Sequence, residues 1–133
     1  QRQDDMAIIY ITHDMGVVAE NVDRVYVMYL GRVVETTTTD RLFNSPMHPY
    51  TQKLLRSIPQ PGHHVDKLEV IEGSVPTPLD PPVQCGFFTR CPLAMPGKCD
   101  QAVPALVESE QGHFVRCFRY SDEIEAEDEW TRI

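Results

Sequence analysis

The sequence predicts an α/β fold followed by a proline-rich, cysteine-bearing region that is dominated by loops. The apolar run at residues 7–11 (AIIYI) is continuous rather than alternating, which is typical of a strand covered on both faces of a parallel sheet. All but one of the eleven prolines lie between Pro46 and Pro96, and proline interrupts helices and central strands. Regular elements are therefore expected mainly in the first half of the chain.

A helix and a hairpin are predicted directly after the first apolar run. Asp14 is a suitable N-cap for a helix over residues 15–21, where valines supply a short apolar face. Two runs rich in β-branched residues, 24–30 and 32–36, flank Gly31. That order predicts a β-hairpin with the glycine in its turn.

Two short helices are expected before the proline-rich region. Thr39 precedes a helical turn over residues 40–44, whose Leu42 and Phe43 are expected to point inward. His48 and the proline after it open a second helix, because proline is favoured at the first helical position. The apolar face of this second helix carries Tyr50, Leu54 and Ile58.

The remainder of the chain is predicted to hold few regular elements. A linker is expected over residues 61–82, and two short helical segments over 101–103 and 104–108. The net charge is −8, and residues 121–133 hold six acids and one base. This acidic tail is therefore expected to be a solubilising, partly disordered end.

Composition and charge exclude several classes of protein. No clustered basic stripe is present, which argues against nucleic acid as a direct partner. The chain has no apolar run of 18 residues, and its first residues (QRQDD) are not typical of a secretory signal peptide. A cytosolic setting keeps thiols reduced, so four cysteines there indicate metal binding more often than disulfides.

His13 is placed at the carboxyl end of the predicted first strand. In open α/β sheets ligands bind outside the carboxyl ends of strands, and a neutral imidazole there donates to a phosphate oxygen or holds a water. Taken alone, a histidine at this place is more often a hydrogen-bonded structural residue than a catalytic one. The other four histidines are expected in solvent-exposed loops: His48, His63, His64 and His113.

Three segments of the first 60 residues share their order with a known family. They are AIIYITHD at 7–14, DRVYVMYLGRVVE at 23–35 and SPMHPYTQKLLRSIP at 45–59. In this order they resemble the C-terminal third of an ABC-transporter ATPase subunit of the oligopeptide/dipeptide importer class. The resemblance implies the end of a P-loop NTPase domain, with His13 as the switch histidine that contacts the γ-phosphate of ATP.

The phosphate-binding loop of that family is not found in the 133 residues. No G-x-x-x-x-G-K-[ST] motif occurs, although its backbone amides and lysine hold the phosphates in such ATPases. We therefore expect the chain to correspond to the C-terminal part of the subunit and to hydrolyse no ATP alone. For the intact subunit, the resemblance implies ATP and Mg as cofactors.

The resemblance also implies partners and a location. A second ABC ATPase subunit and transmembrane permease subunits are the expected partners, without direct contact between this chain and the peptide. The expected location is peripheral, on the cytoplasmic face of the membrane. Three parts follow: residues 1–60 end the nucleotide-binding domain, 61–120 form a cysteine-rich extension, and 121–133 form the acidic tail.

The cysteines form the second candidate site. Cys85, Cys91, Cys99 and Cys117 have the spacing C-x5-C-x7-C-x17-C, which lacks the close pairs typical of structural zinc sites. Four cysteines on longer loops suit an iron–sulfur cluster, while zinc, free thiols and disulfides remain alternatives. Four cations lie near them in sequence, and four phenylalanines are expected to form an apolar shell. These are Arg90, Lys98, Arg116 and Arg119, and Phe87, Phe88, Phe114 and Phe118.

The cysteine segment resembles the same importer family. GSVPTPLDPPVQCGFFTRCPLAMPGKC and FVRCFRY are similar to its cysteine-rich tail, which implies Cys85, Cys91, Cys99 and Cys117 as ligands of a [4Fe–4S] cluster. A structural staple for a proline-rich segment is favoured over redox regulation as the role of that cluster. The alternative function is an independent cytosolic interaction domain that binds zinc or an iron–sulfur cluster.

Overall fold

The computed structural model describes residues 6–57, 80 and 82–126. It has a mixed fold of short helices and one four-stranded antiparallel sheet with the strand order β1-β2-β4-β3. The elements in chain order are α1 (Met15–Asn21), β1 (Arg24–Tyr29), β2 (Arg32–Thr38), α2 (Thr39–Asn44), α3 (Pro49–Arg56), a 3-10 turn (Phe88–Arg90), β3 (Val107–Glu110) and β4 (His113–Val115).

The predicted hairpin is confirmed as β1 and β2. Arg24 pairs with Thr38 at one end of the ladder and Tyr29 with Arg32 at the other. Leu30 and Gly31 make the turn with φ of 47° and 79°, because a two-residue hairpin turn of this kind needs the left-handed region at both positions. Glycine adopts that region without the clash that a Cβ brings, whereas leucine is strained there.

The first apolar run is not the buried strand that its pattern predicted. Residues 7–11 form no strand in the structure, and the side chains of Ile9 and Ile11 are 88% and 98% exposed. A buried strand needs a hydrogen-bonded neighbour and a layer on each face. Among the described residues no strand pairs with this run, and the sheet that does form is antiparallel rather than parallel.

The cysteine-rich half of the chain extends this antiparallel sheet. β4 pairs with β2, with Glu35 opposite Val115 and Thr36 opposite Phe114, and β3 pairs with β4. The helical segments predicted at 101–103 and 104–108 are therefore wrong. The sequence VESE at 107–110 alternates, which is the strand period, and Gly112 turns the chain with φ of 73°.

The three helices begin close to where the sequence predicts. The Asp14 carboxylate accepts hydrogen bonds from the backbone N–H of Gly16 at 2.8 Å and of Val17 at 3.3 Å, so its capping role in α1 is confirmed. In α2 the N-cap is Thr38, and Thr39 instead donates its hydroxyl to the Val22 carbonyl at 2.5 Å.

The inward faces of α2 and α3 agree with the predictions only in part. Leu42 is fully buried, but Phe43 is exposed, because adjacent side chains on a helix do not lie on the same face. Tyr50 and Leu54 of α3 pack on the core. Ile58, the third residue of that predicted face, lies outside the described residues, as does most of the predicted linker at 61–82.

One hydrophobic core joins the hairpin, the helices and the cysteine-rich segment. Phe87, which is only 2% exposed, is the contribution of that segment. The remaining buried members of this core are Met15, Val18, Val27, Tyr29, Val34 and Leu42. Burial of Phe87 among them means that the segment after residue 82 folds onto the hairpin.

The start of the acidic tail, which was predicted to be a solubilising and partly disordered end, bonds to the body of the protein. Pro104 and Ile124 form an antiparallel bridge. The Ala105 N–H donates to the Glu123 carbonyl at 2.9 Å, and the Glu125 N–H donates to the Val103 carbonyl at 2.9 Å. Residues 121–126 are thus attached to the body of the protein, while 127–133 lie outside the described residues.

Candidate functional site

The histidine at the start of α3 is buried, not exposed as predicted. His48 is 2% exposed, and its Nδ1 accepts a hydrogen bond from the Tyr50 N–H at 3.0 Å, which caps the helix. Burial lowers the pKa of His48 from 6.5 to about 4, and a hydrogen bond with the backbone of Arg116 partly opposes that shift. The imidazole is therefore neutral near pH 7 and serves as a structural junction.

A buried glutamate holds this histidine turn against the sheet. The Glu35 carboxylate is fully buried and accepts hydrogen bonds from the Met47 N–H at 2.7 Å and the His48 N–H at 2.9 Å. Its Oε1 also lies 2.7 Å from Nε2 of His113, another buried histidine for which the prediction of exposure is wrong. Glu35 thereby connects β2, β4 and the start of α3.

Sequence reasoning missed Glu35, although a signal was present. It is the acidic residue inside the strand RVVETTT, where charged side chains are seldom buried without partners. His63 and His64, the remaining histidines predicted to be exposed, lie outside the described residues.

An aromatic group connects the histidine turn to the cysteine segment. The Tyr29 and Tyr50 rings have centroids 4.7 Å apart, and Phe87 lies 5.3 Å from Tyr29 and 5.5 Å from Tyr50. Edge-on and tilted contacts at these distances are favourable. Arg90 donates from Nη1 to the Tyr29 hydroxyl at 3.1 Å, so the residues around the first two cysteines are fixed to β1.

The four cysteines line one small cavity of about 10 Å³. Each has a free thiol, and Cys85 donates its backbone N–H to the Cys99 carbonyl at 3.0 Å. Of the predicted aromatic shell, three phenylalanines line the cavity and Phe114 does not. The cavity is lined further by His48, Pro49, Phe87, Phe88, Leu93, Ala94, Met95, Phe118 and Arg119.

Burial favours the protonated thiol at Cys85, Cys91 and Cys117. It raises the pKa of Cys85 from 9.0 to about 11, and it also raises the pKa of Cys91 and of Cys117. Neighbouring thiols raise the pKa further, while Arg119 opposes the shift at Cys91 and Cys117. Since a metal binds the thiolate, loading of this cavity would release protons.

Only one of the four predicted cations lies at the cavity. Arg119 lines it, whereas Arg90 bonds the Tyr29 hydroxyl and Lys98 pairs with Asp122. Arg116 pairs instead with Glu125. Three cations that are close to a cysteine in sequence therefore do not line the cavity in the folded chain.

The four thiols are suitable ligands for a soft metal, but they are not arranged around a single metal position. Four thiols facing one cavity are the ligands that iron–sulfur clusters and zinc prefer. However, within residues 6–57, 80 and 82–126 no group of three or more His, Cys, Asp or Glu side chains is placed to hold a metal ion. The thiols converge, and loading would require the loops that carry them to adjust.

His13 lies apart from the cysteines. It is exposed, immediately before the Asp14 cap, and it is not among the residues that line the cysteine cavity. The backbone there is fixed by the Asp14 N–H, which donates to the Thr12 hydroxyl at 3.0 Å. The turn presents the imidazole to solvent rather than to any described side chain cluster.

The chain was compared with known proteins. Residues 34–99 match the family described as "Oligopeptide/dipeptide transporter, C-terminal region". The "Oligopeptide transport ATP-binding protein AppD" of Bacillus subtilis is 53% identical over 117 residues, which are 88% of this chain and 35% of that protein. The "Oligopeptide transport ATP-binding protein OppF" of Salmonella typhimurium is 42% identical over 122 residues, which are 90% of this chain and 36% of that protein.

A third relative agrees with these two. The "Probable peptide ABC transporter ATP-binding protein y4tS" of Sinorhizobium fredii is 46% identical over 118 residues, or 88% of this chain and 33% of that protein. The chain thus represents the C-terminal part of an ABC-transporter ATP-binding subunit. Within that class it belongs to the oligopeptide/dipeptide transporter family, and it spans about a third of the length of the curated relatives it matches.

These comparisons also bear on the alternative function and on membranes. They give no support to an independent metal-binding interaction domain. Across the described residues, no helix combines the length and the apolar character that crossing a membrane requires.

Proposed function

We propose that this chain is the C-terminal part of the ATP-binding subunit of an ABC importer that takes up oligopeptides or dipeptides. The observation that carries the proposal is the match of residues 34–99 to the transporter's C-terminal region, whose His48-Pro49-Tyr50 turn is the buried junction of the fold. In the intact subunit, ATP with Mg supplies the free energy that changes the permease conformation.

His13 is proposed as the switch histidine of that subunit. A histidine on an exposed turn, next to a helix cap, is accessible to a phosphate supplied by residues outside this chain. Its imidazole would orient toward the γ-phosphate and contribute to the positioning of the attacking water. The 133-residue chain by itself is expected to show no ATPase activity above that of buffer.

The experiment is ATP hydrolysis by the intact subunit assembled with its permease, with His13→Ala compared with Glu20→Ala. Glu20 is likewise exposed and lies on α1, so it controls for substitution in the same region. Loss of a group that acts on the reacting phosphate lowers kcat by about 10²-fold or more, and Glu20→Ala should leave kcat unchanged. Equal rates in the two variants would refute the role of His13.

The four cysteines are proposed to bind a [4Fe–4S] cluster, with zinc as the competing ion. Their convergence on one cavity supports this proposal, as does a donor set made only of thiols. When bound, the cluster would cross-link the loops that carry Cys85, Cys91, Cys99 and Cys117. The protein side chains contribute the thiolates, the apolar wall of Phe87, Phe88 and Phe118, and the positive charge of Arg119.

Anaerobic purification with metal analysis tests the cluster. About four iron and four inorganic sulfide per chain, with a broad visible absorption band, are expected, and Cys117→Ser should lose most of the iron. The matched control is Ser121→Cys, which exchanges the same two residue types near Cys117 but outside the cavity. It should not change the iron content. A colourless protein with one zinc per chain would contradict the cluster.

The remaining parts of the proposal concern assembly. Residues 1–60 are assigned to the end of the nucleotide-binding domain, 61–120 to the importer-specific extension and 121–133 to the tail. The partners are a second ATP-binding subunit and transmembrane permease subunits, at the cytoplasmic face of the membrane. The names of the relatives, which are ATP-binding proteins of peptide transporters, support this assignment.

A further inference from the structure

The acidic tail places a carboxylate between two buried arginines. Glu125 accepts a hydrogen bond from Arg32 Nε at 2.9 Å, and its other oxygen pairs with Nη1 of Arg116. The three side chains are 6%, 10% and 8% exposed. A carboxylate shared by two buried guanidinium groups forms charge-assisted hydrogen bonds that solvent weakens little.

Each arginine also fixes one end of the cysteine region to β2. Arg32, which belongs to β2, donates from Nη1 to the Pro82 carbonyl at 3.0 Å, three residues before Cys85. Arg116, immediately before Cys117, donates from Nε to the Val33 carbonyl of β2 at 2.9 Å. The first and the last cysteine are thus held by two arginines that share one counter-ion.

The tail backbone supports the same contact. The hydrogen bonds between residues 103–105 and 123–125 hold the Glu125 backbone in place, and Arg116 donates from Nη1 to the Pro104 carbonyl at 3.1 Å within the same bridge. Neighbouring acids are used differently. Asp122 pairs with Lys98 at the surface, and the Glu123 side chain is exposed.

We infer that Glu125 is a positioning residue for the cysteine site. Its carboxylate joins Arg116, which precedes Cys117, to Arg32, which holds the segment before Cys85. This link, the Glu125 clamp, keeps the first and last thiols in the shared cavity. The inference rests on the proposal that the four thiols form one site, but it concerns the protein without metal. The hydrogen bonds described for the two arginines reach the segments of Cys85 and Cys117, and the Cys99 carbonyl accepts from the Cys85 N–H, so Cys91 is the thiol expected to respond least to loss of the clamp.

The test is peptide-resolved labelling of the thiols with N-ethylmaleimide, on the reduced, metal-free full chain. Glu125→Gln removes the charge and keeps the size, and Glu123→Gln is the matched control two residues away. In Glu125→Gln, labelling of Cys85 and Cys117 should accelerate by about tenfold or more, because loss of the buried ion pairs makes local opening of these segments more frequent. Cys91 should change by less than about twofold, and Glu123→Gln should match the wild type.

Equal acceleration at all four cysteines would mean general destabilisation and would overturn the clamp, as would no change at any of them. Should Glu125→Gln fail to fold, Arg32→Gln provides a second measurement. It breaks the link to Pro82 but leaves Arg116 with Glu125, so labelling of Cys85 should accelerate and labelling of Cys117 should not; equal acceleration of the two would refute the inference. Iron content is measured separately, so a selective clamp in a protein that binds no iron would reject the cluster and retain the clamp.

Discussion

At the scale of single residues, the fold depends on polar groups that are buried in pairs. Glu35 has no exposure but three hydrogen-bond partners, so the cost of removing its charge from water is offset locally. His48 is neutral, and both of its ring nitrogens are used, one by Tyr50 and one by the backbone of Arg116. The cysteine cavity is built on this polar junction.

The depressed pKa of His48 gives a prediction about pH. The unfolded chain binds a proton at this residue below pH 6.5, whereas the folded chain does so only below about pH 4. The unfolded state therefore holds more protons in that interval, and stability must fall as the pH drops through it. His48 should contribute a loss of about 3 kcal/mol between pH 6.5 and pH 4.

Urea unfolding at a series of pH values measures this loss. His48→Asn retains an acceptor that can cap α3 but does not titrate, so the pH slope between 4 and 6.5 should become shallower even though the variant is less stable overall. His13→Asn removes an exposed histidine and should leave the slope as in the wild type. A His48→Asn profile parallel to that of the wild type would show that His48 is not buried neutral.

At the scale of elements, the turn between β1 and β2 determines the register of the hairpin. Gly31 has φ of 79°, and a Cβ added there would meet no atom within 4 Å. A larger residue at this position would therefore lower the stability because of its backbone conformation and not because it contacts other atoms. Gly31→Ala should lower the free energy of unfolding by about 1 kcal/mol, because alanine is disfavoured in the left-handed region.

The comparison with Gly31→Asn separates this effect from a loss of flexibility in general. Asparagine tolerates the left-handed region, so its cost should be clearly smaller than that of alanine. Both values come from urea midpoints at one pH. A cost of Gly31→Asn equal to that of Gly31→Ala would mean that the turn conformation does not set the difference.

The elements that were predictable are those determined by neighbours in sequence. The Asp14 cap, the Gly31 turn and the proline that opens α3 each act within a few residues, and all three are confirmed. The apolar run at 7–11 depends on partner strands that its own residues do not specify, so its pattern alone led to a wrong environment. The same reason explains why β3 was taken for helix.

The candidate site was predictable to a similar extent. The spacing of the cysteines favoured a shared metal site, which stays a prediction, and the four cysteines line one cavity. Three of the four cations predicted around the cysteines do not line the cavity, because Arg116 pairs with Glu125, Arg90 bonds Tyr29 and Lys98 pairs with Asp122. Glu35 and Glu125 were missed since their arginine and histidine partners are distant in sequence.

At the scale of the whole molecule, hairpin and cysteine region share one sheet and one core. β2 pairs with β4, and Phe87 packs beside Tyr29. A ligand that cross-links the cysteine loops should therefore stabilise the entire chain and not the loops alone. Loading with a [4Fe–4S] cluster is expected to raise Tm by about 10 °C or more in anaerobic thermal unfolding followed by far-ultraviolet circular dichroism.

The control for this prediction is the double variant Cys85→Ser, Cys117→Ser under identical reconstitution, whose Tm should not move. Both substitutions are small, so the hairpin should fold in the unloaded variant. Iron bound to the wild type without a change of Tm would place the metal outside the shared core.

Because the sheet partners are far apart in sequence, the order of synthesis decides when the sheet can form. Glu35 and His113 lie 78 residues apart, so the pairing of β2 with β4 cannot form until residue 113 has been made, and Glu125 leaves the ribosome after every cysteine. At roughly 5–20 residues per second, the thiol of Cys85 waits about 2–8 seconds for the residue that clamps it. If these thiols bind a metal as proposed, they would be most accessible to its donor on the growing chain, before Glu125 is in place.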